Sequence, residues 1–221
     1  MQITFQEICW NVTGEPGAVV SISYLGNYPL EETCIYFSKY KQAMQSTKTK
    51  IESHPVPPQL ATKTDLSQQE TKAITDAVNP LIADAFALYV KTKNFHWHLY
   101  GSHFNDYHEL FDEHAEAILE SIDIMAERVR RVGGTTIRSI SHIGQLQTIE
   151  DDNSNLVQPG EMIRILMEDN GHIAKMIRDA IDVCDENRDS PTSNLLQDIL
   201  DKTERRKWFL YEIMQGSKNT E

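Results

Sequence analysis

Four long segments of this sequence repeat their apolar residues at helical spacing, and this repetition constrains the fold more than any other feature. The first runs from residue 67 to about 99, and the second from about 105 to 132. The third begins at Pro159, and the fourth begins at Ser190 and ends near residues 215–216. Because each segment has one apolar stripe, the four stripes must be buried against one another. The sequence therefore predicts an all-α fold built on a four-helix bundle.

Local signals mark the ends of these helices. Ser67-Gln68-Gln69-Glu70 matches a capping box, and Gly133-Gly134 matches a helix C-terminal signal. Pro159 suits the first turn of a helix, whereas Pro80 lies inside the first segment, where we expect it to kink or restart the helix. The apolar stripes of the second and third helices consist of Phe111, Ile118, Ile122, Met125 and Val129, and of Ile163, Leu166, Ile173, Ile177 and Cys184.

The connection between the second and third helices is long, since it spans residues 135–157. We expect a short helix within it, from about Ile143 to Glu150. A bundle with one long middle crossover is a recognised variant, distinct from the up-down-up-down arrangement with short loops. The sequence thus predicts which neighbouring helices are joined by short turns and which by the crossover.

Residues 1–43 differ from the rest of the chain. They are rich in aromatic and β-branched residues with Gly and Pro between them, which is typical of strands or irregular structure. The stretch is too short for a self-sufficient domain. We therefore divide the chain into an N-terminal extension of unknown role at 1–43, a flexible arm at 44–66 and the helical domain at 67–216. Met44 is a candidate for the true start, which would make the extension an artefact of start assignment.

The composition narrows the class of protein. The formal net charge is −12, and an acidic body attracts cations rather than nucleic acid. Cys9, Cys34 and Cys184 have no CxxC spacing, so they indicate neither a disulfide framework nor a zinc site, which fits a reducing cytoplasm. The first basic residue is Lys39, so a secretory signal is not expected. No stretch approaches the roughly 18 unbroken apolar residues of a membrane helix.

The second helix has a face of metal-ligand residue types. His108, Asp112, Asp123 and Glu127 fall within a sector of roughly 100° on the helical wheel. The apolar stripe is centred roughly 130° away from that sector, so the ligand types do not face the core. The first helix ends in Phe95-His96-Trp97-His98, which brings imidazole near the same end as His108. A solvated acidic face is the alternative interpretation of the carboxylates.

The spacing along this helix limits how these residues can share an ion. Asp112 and Asp123 are eleven residues apart, or about 16 Å along a helix, whereas a metal–oxygen bond is only about 2 Å long. Antiparallel pairing of two copies of the helix across a two-fold axis would bring the His108/Asp112 pair of one copy against the Asp123/Glu127 pair of the other. We therefore expect two sites per dimer, each shared between subunits.

A longer pattern surrounds these residues. It consists of Lys93-Asn94-Phe95-His96-Trp97-His98, Gly101, His103-Phe104, Tyr107-His108-Glu109-Leu110-Phe111-Asp112, Asp123-Ile124-Met125-Ala126-Glu127-Arg128 and Gly133-Gly134. The pattern resembles the signature of the Dps family of mini-ferritins, whose fold is the ferritin-like four-helix bundle. The resemblance covers about residues 66–215 and leaves residues 1–43 outside it.

The resemblance implies a function and its residues. His96, His108 and Asp112 of one subunit, with Asp123 and Glu127 of its neighbour, correspond to the ferroxidase site, where they would serve as both metal ligands and catalytic residues. The family assembles as a hollow shell of twelve subunits built from two-fold dimers. It oxidises Fe²⁺, preferably with hydrogen peroxide, stores a ferric mineral and protects the cytoplasm from oxidative damage.

The chemistry of the residues fits that expectation. Two imidazoles and three carboxylates without a thiolate suit ferrous iron, with Mn²⁺ or Zn²⁺ as competitors. Carboxylates stabilise ferric iron more than ferrous iron, which favours oxidation. Trp97 matches the family's tryptophan beside the site, where it would serve as packing or as a sink for an oxidising equivalent. Candidates to line iron-entry pores are Asp185, Glu186, Asp189, Asp198 and Asp201.

Other functions stay open from the sequence. Direct binding and condensation of DNA, with a nucleoid-associated location, would rest on the arm, where Lys48, Lys50 and Lys63 are offset by Glu52 and Asp65. A shell that binds metal without turnover is a third possibility. A conventional ferritin site is disfavoured, because neither C-terminal helix has the Glu-x-x-His pair that such a site places inward.

Overall fold

The structure, a computed structural model, describes residues 56–218. The interpretations of the extension at 1–43 and of the arm up to residue 55 lie outside the described residues. Within the described range the chain forms a 3₁₀ turn at Pro58–Leu60 and five α-helices. These are α1 (Gln68–His98), α2 (Phe104–Arg131), α3 (Ile140–Leu146), α4 (Pro159–Glu186) and α5 (Ser190–Lys218). The predicted all-α bundle with a short helix in its middle connection is confirmed.

The start of α1 is a capping box, as predicted. The Ser67 hydroxyl accepts a hydrogen bond from the Glu70 amide, and the Glu70 carboxylate accepts one from the Ser67 amide at 2.7 Å. Hydrogen bonding from Arg188, and then from Ser67, lowers the pKa of Glu70 to about 2. Arg188 lies in the turn between α4 and α5. This contact therefore joins the start of α1 to that turn.

Of the two alternatives expected at Pro80, a restart of the helix is wrong, while a kink stays a prediction. α1 continues through Pro80 to His98. Proline removes one backbone donor from a helix interior, but Val78, Leu81 and Ile82 on both sides of it are fully buried. Packing of these side chains against the bundle holds the helical path across the missing hydrogen bond.

The end of α2 confirms the paired-glycine signal. Gly133 has a φ of +93°, a conformation that favours glycine. Its amide donates to the Arg130 carbonyl at 3.1 Å, and the Gly134 amide donates to the Val129 carbonyl at 3.0 Å, which is the Schellman pattern. A Cβ at Gly134 would clash with the Thr75 hydroxyl and lie 3.1 Å from the Val129 side chain. The two glycines thus end α2 and let it pack closely on α1.

The short helix in the connection lies earlier than predicted. It spans Ile140–Leu146 rather than Ile143 to Glu150, because the Ser139 hydroxyl caps its start by accepting from the His142 amide. The helix ends where the buried Asp84 carboxylate accepts hydrogen bonds from the amides of Thr148 and Ile149, at 2.6 and 3.0 Å. Those amides are therefore directed to α1 instead of continuing a helix.

The bundle core takes side chains from all four long helices. α1 packs against α2, α4 packs against α5, and α1 also faces α4. Pro159 occupies the first turn of α4 as predicted. The stripes predicted for the second and third helices are buried throughout. The largest fully buried side chains include Phe95, Phe111, Leu81, Met162 and Leu196.

Among the described residues one helix, α1, is long and apolar enough to span a membrane, with a mean hydropathy of 1.3 over its most apolar window. Its position explains that composition. α1 contacts α2, α3 and α4, and its buried residues extend from Ile74 to His96. A helix with neighbours on so much of its surface needs apolar residues for the protein core itself.

The described end of the arm is attached to the bundle. The Arg130 guanidinium donates to the Leu60 carbonyl at 2.6 Å, and the Thr62 hydroxyl donates to the Arg130 carbonyl at 2.9 Å. The Thr71 hydroxyl donates to the Val132 carbonyl beside them. The chain therefore enters the bundle along the C-terminal end of α2, while the division at residues 43 and 66 stays a prediction.

Candidate metal centre

The turn between α1 and α2 brings two predicted ligands together. Gly101 has a φ of +104°, and its carbonyl accepts from the Phe104 amide at 3.3 Å. This tight reversal places the ring of His96, near the end of α1, on the ring of His108 in the second turn of α2. Their centroids are 3.7 Å apart and their planes differ by 21°.

Each imidazole is held by the backbone of the other residue. The Nδ1 of His96 lies 2.8 Å from the carbonyl oxygen of His108, and the Nδ1 of His108 lies 3.1 Å from the carbonyl oxygen of His96. A carbonyl oxygen only accepts, so each Nδ1 must carry the hydrogen. In the neutral rings both Nε2 atoms then keep a lone pair, which is the arrangement that metal-binding histidines use.

A third ring completes this stack. The ring of Phe104, one turn before His108 on α2, lies 4.9 Å from the His108 ring with an interplanar angle of 23°. His96 already covers His108 at 3.7 Å. The imidazole of His108 therefore contacts the rings of both His96 and Phe104, so its rotation is restricted.

Asp112 lies one turn after His108 and is paired with a cation. Its Oδ1 is 2.5 Å from the Nζ of Lys93 on α1. This hydrogen bond, with the charge of Lys93 and the nearby His96 and His108, lowers the pKa of Asp112 below its usual value. Asp112 is thus held ionised beside the imidazoles, and a metal ion that binds it must compete with the Lys93 ammonium.

Trp97 lies beside this group on the surface of the chain. Its side chain is 64% exposed, and the Nζ of Lys93 lies 6.0 Å from the centre of its ring. Packing in the core of its own chain is therefore not the role of Trp97. An exposed indole next to the predicted ligands is available to a neighbouring molecule.

The other two predicted ligands lie apart from the first three. Asp123 and Glu127 are exposed on the later turns of α2, and Glu127 pairs with Arg131 at 3.0 Å. Across residues 56–218, no group of three or more His, Cys, Asp or Glu side chains is close enough together to hold a metal ion. The chain thus brings His96 and His108 together with Asp112 beside them, and leaves the acid pair separate along the same helix.

The bundle interior has a different chemistry. A small central cavity touches all four long helices, and its lining is apolar apart from Ser121, Thr203 and Arg206. Arg206 is only 7% exposed, and its guanidinium donates to Asn170 and Thr203 at 3.0 and 2.9 Å. Burial lowers its pKa to about 10. A buried cation without a lining carboxylate disfavours metal inside the bundle.

Sequence reasoning did not predict the buried Arg206. A signal existed, because Thr203, Arg206 and Leu210 share the spacing of a core stripe on α5 and all three are buried. An arginine at the centre of such a stripe is unusual, since charged residues are rarely buried without a partner. Reading α5 for polar residues within its apolar stripe would have found it.

The prediction that Asp189 lines a pore is wrong. Asp189 is buried, and its carboxylate accepts hydrogen bonds from Arg128 at 2.5 Å and from the Thr192 amide at 3.2 Å. It therefore caps the start of α5 instead of lining an opening. The other candidates, Asp185, Glu186, Asp198 and Asp201, are exposed, and their role in a pore stays a prediction.

Comparison with known proteins finds relatives that share this fold. Residues 75–218 match the ferritin family, described as a ferritin-like domain. An uncharacterized low temperature-induced protein of Nostoc sp. strain PCC 7120 is 32% identical over 152 residues, which is 68% of this chain and 85% of that protein. The DNA protection during starvation protein of Agrobacterium fabrum is 30% identical over 154 residues, covering 70% of this chain and 95% of that protein.

Solved structures agree. DpsC from Streptomyces coelicolor superposes with a TM-score of 0.69 at 28% sequence identity, covering 75% of this chain and 95% of the other. The Dps protein from Bacillus brevis gives a TM-score of 0.65 at 28% identity, with coverages of 67% and 99%. The family match at residues 75–218 extends from within α1 to the end of α5.

Proposed function

The chain belongs to the Dps family of ferritin-like mini-ferritins, and on that premise we propose that it is a ferroxidase that oxidises Fe²⁺ at sites shared between two subunits. The family comprises iron-binding proteins of stress protection. The proposal adds the reaction, the residues and the assembly: a shell of twelve subunits in the cytoplasm, with hydrogen peroxide as the preferred oxidant and a ferric mineral as the stored product.

The observation that carries the proposal is the pair of hydrogen bonds by which His96 and His108 orient each other's rings. Each Nδ1 is occupied by the other residue's carbonyl, so each Nε2 is available as a neutral donor. Asp112 supplies a carboxylate kept ionised by Lys93. Imidazole and carboxylate together suit ferrous iron. Donors positioned before the ion arrives need little rearrangement to bind it.

Two of the five proposed ligands must come from another subunit. Asp123 is about 16 Å along α2 from Asp112 by the rise of a helix, so one chain cannot close the site. Within the described residues no three His, Cys, Asp or Glu side chains are close enough together to hold a metal ion. This supports a site that a second subunit completes. A two-fold dimer would pair each histidine half with the partner's Asp123 and Glu127, giving two complete sites.

The reaction assigns a role to each group. Two Fe²⁺ ions each lose one electron, and one hydrogen peroxide takes both electrons as its O–O bond breaks to give two hydroxide ions. Paired consumption avoids the hydroxyl radical that a single electron would produce. His96 and His108 donate without charge, whereas Asp112, Asp123 and Glu127 stabilise the extra charge of ferric iron. Lys93 must release Asp112 as iron binds, because its ammonium occupies the same carboxylate.

Protection by direct DNA binding is the second candidate, because the Agrobacterium fabrum relative is named for DNA protection during starvation. The net charge of −12 weighs against it, since binding to phosphates requires clustered positive charge. A gel-shift assay at two salt concentrations separates the two functions. A tight shift that weakens steeply with salt would favour DNA binding and a nucleoid-associated location.

Stopped-flow absorbance tests the proposed reaction. Fe²⁺ is added anaerobically to the assembled protein, then either peroxide or oxygen is mixed in, and the ferric absorbance is followed. We expect fast oxidation by peroxide, slower oxidation by oxygen and at least about a hundredfold loss in His96→Ala and Asp112→Ala. His98→Ala is the matched control, because His98 is exposed and its hydrogen bond, among residues 56–218, is to the Asn94 carbonyl of its own helix. Unchanged rates in the two ligand variants would refute the site.

A further inference from the structure

One apolar side chain lies within the acidic ligand face of α2. Leu119 is 45% exposed, although leucine is usually buried. At about 100° per residue, Leu119 falls between His108 and Asp112 on the helical wheel, and Glu116 falls between Asp123 and Glu127. Leu119 and Glu116 therefore lie within the face that, in the proposed function, meets a second copy of the chain, about midway along the helix between the two pairs of ligands.

The proposed sites define where the two helices cross. If His108 faces the partner's Glu127, and Asp112 faces the partner's Asp123, both pairings have the same centre, midway between residues 117 and 118. A two-fold axis maps each α2 onto the other through that centre. The position follows from the residue numbers alone once the helices are antiparallel.

Leu119 is the apolar residue closest to this axis on the ligand face. Its Cα and that of its copy are separated by three residues along the helix direction, or about 4.5 Å. Helical side chains lean toward the N terminus, so each Leu119 leans toward the axis and toward the other. We propose that Leu119 and the partner's Leu119 form the central contact of a two-fold dimer and set its register.

The charges on α2 are compatible with a second copy of the helix in this register. The acids of α2 other than the ligands each lie level along the helix with an uncharged residue of the partner: Asp106 with Val129, Glu109 with Ala126, Glu113 with Ile122, Glu116 with Leu119, and Glu120 with Ala115. Val129, Ile122 and Ala115 are buried within their own bundle, so none of these acids meets a carboxylate of the partner. Like charges meet where Asp112 faces the partner's Asp123, which is the place where bound iron would neutralise them. The dimer is therefore compatible with two strongly acidic helices.

A slide of one turn removes that compatibility. When one helix slides by four residues, the centre of the pairing moves by two residues toward the C terminus. Glu116 then lies opposite the partner's Asp123, and Asp112 lies opposite the partner's Glu127. Each of these carboxylate pairs occurs twice in a two-fold dimer, and each is destabilising in a desolvated interface. Leu119 would also face the partner's Glu120. The register centred near Leu119 is thus the one that both the ligands and the acids favour over this neighbour.

Two variants test the contact in the full-length protein. Leu119→Glu adds two carboxylates at the axis and should raise the dimer dissociation constant by about tenfold or more, as measured by sedimentation velocity. Leu119→Met keeps the contact apolar and should assemble as wild type does. Because Leu119 is exposed within one chain, circular dichroism should show the same helix content for both. A Leu119→Glu protein that assembles as well as wild type would overturn the inference.

Crosslinking supplies a readout independent of iron. In Leu119→Cys a short bismaleimide should join two chains efficiently, whereas wild type and Leu156→Cys, an exposed position in the middle connection, should react far less. Efficient crosslinking in a protein that cannot oxidise iron would support the contact and refute only the proposed function. Poor crosslinking in a protein that does oxidise iron would refute the contact and leave the function standing.

Discussion

His96 and His108 hold each other through their backbones: the Nδ1 of each ring donates to the other residue's carbonyl, at 2.8 and 3.1 Å. The residues are twelve positions apart and belong to different helices. The pair of bonds fixes the tautomer and the orientation of both rings without any metal. The histidine half of the proposed site is therefore preorganised within one chain, and the partner needs to add only carboxylates.

Removing the Phe104 ring should loosen this arrangement. Phe104→Leu leaves the ligands in place but frees one side of the His108 imidazole, so we expect roughly tenfold weaker binding of Co²⁺ as a spectroscopic stand-in for iron. Anaerobic titration of the cobalt absorbance measures the affinity. Phe104→Tyr keeps the ring and should bind as wild type does, and equal affinity in all three proteins would contradict the role of the stack.

Lys93 should compete with the metal for Asp112. Lys93→Met removes the ammonium that lies 2.5 Å from the carboxylate, so we expect Co²⁺ to bind several-fold more tightly, because no ion pair must be broken first. Lys72→Met is the control, since it breaks another Lys–Asp pair on α1, with Asp76, away from the site. Weaker binding in Lys93→Met would mean that the lysine chiefly orients Asp112.

Mixed assemblies should reveal the shared sites. One variant lacks the histidine half, His96→Ala with His108→Ala, and the other lacks the acid half, Asp123→Asn with Glu127→Gln. Each alone should be inactive. Subunits dissociated together and reassembled at random form mixed dimers half of the time, each with one intact site, so activity should return to about a quarter of wild type. No recovery in confirmed mixed assemblies would exclude sites built from two subunits.

Buried His114 should make stability depend on pH. Burial, with the charges of Arg206 and Arg205, lowers the pKa of His114 from 6.5 to about 4. As the pH falls below 6.5 the unfolded chain binds this proton first, so the free energy of unfolding decreases down to about pH 4 and then levels off. The shift corresponds to about 3 kcal/mol at most. Urea unfolding across this range should show a shallower decline in His114→Gln, and parallel curves would contradict the assignment.

Gly134 and Gly144 should respond to alanine with opposite signs. A Cβ at Gly134 meets the Thr75 hydroxyl and the Val129 backbone, so Gly134→Ala should lower the free energy of unfolding by about 1–3 kcal/mol. Gly144 lies in α3 with nothing within 4 Å of an added Cβ, so Gly144→Ala should raise it by up to about 1 kcal/mol. Urea unfolding of both variants measures the difference. A neutral Gly134→Ala would show that Thr75 moves aside at little cost.

The sequence predicted the parts of this protein that depend on neighbours along the chain. The capping box from Ser67 to Glu70 and the end of α2 at Gly133 form from residues within one helical turn, so their spacing identifies them. The apolar stripe from Phe111 to Val129 is visible as a period of 3.6 residues. The separation of Asp112 from Asp123 follows from helical rise alone. The same local rules placed every proposed ligand on one face of α2 or at the end of α1.

The tertiary structure decided what those elements contact. The predicted helix at residues 143–150 shifted because Asp84, far away in sequence, binds the Thr148 and Ile149 amides. Pro80 did not interrupt α1 because packing across the bundle outweighs one lost hydrogen bond. The crossed bonds of His96 and His108 and the buried charge of Arg206 depend on which helix faces meet. Helical periodicity repeats along one segment and holds no information about its partner, so these contacts are defined only when the bundle assembles.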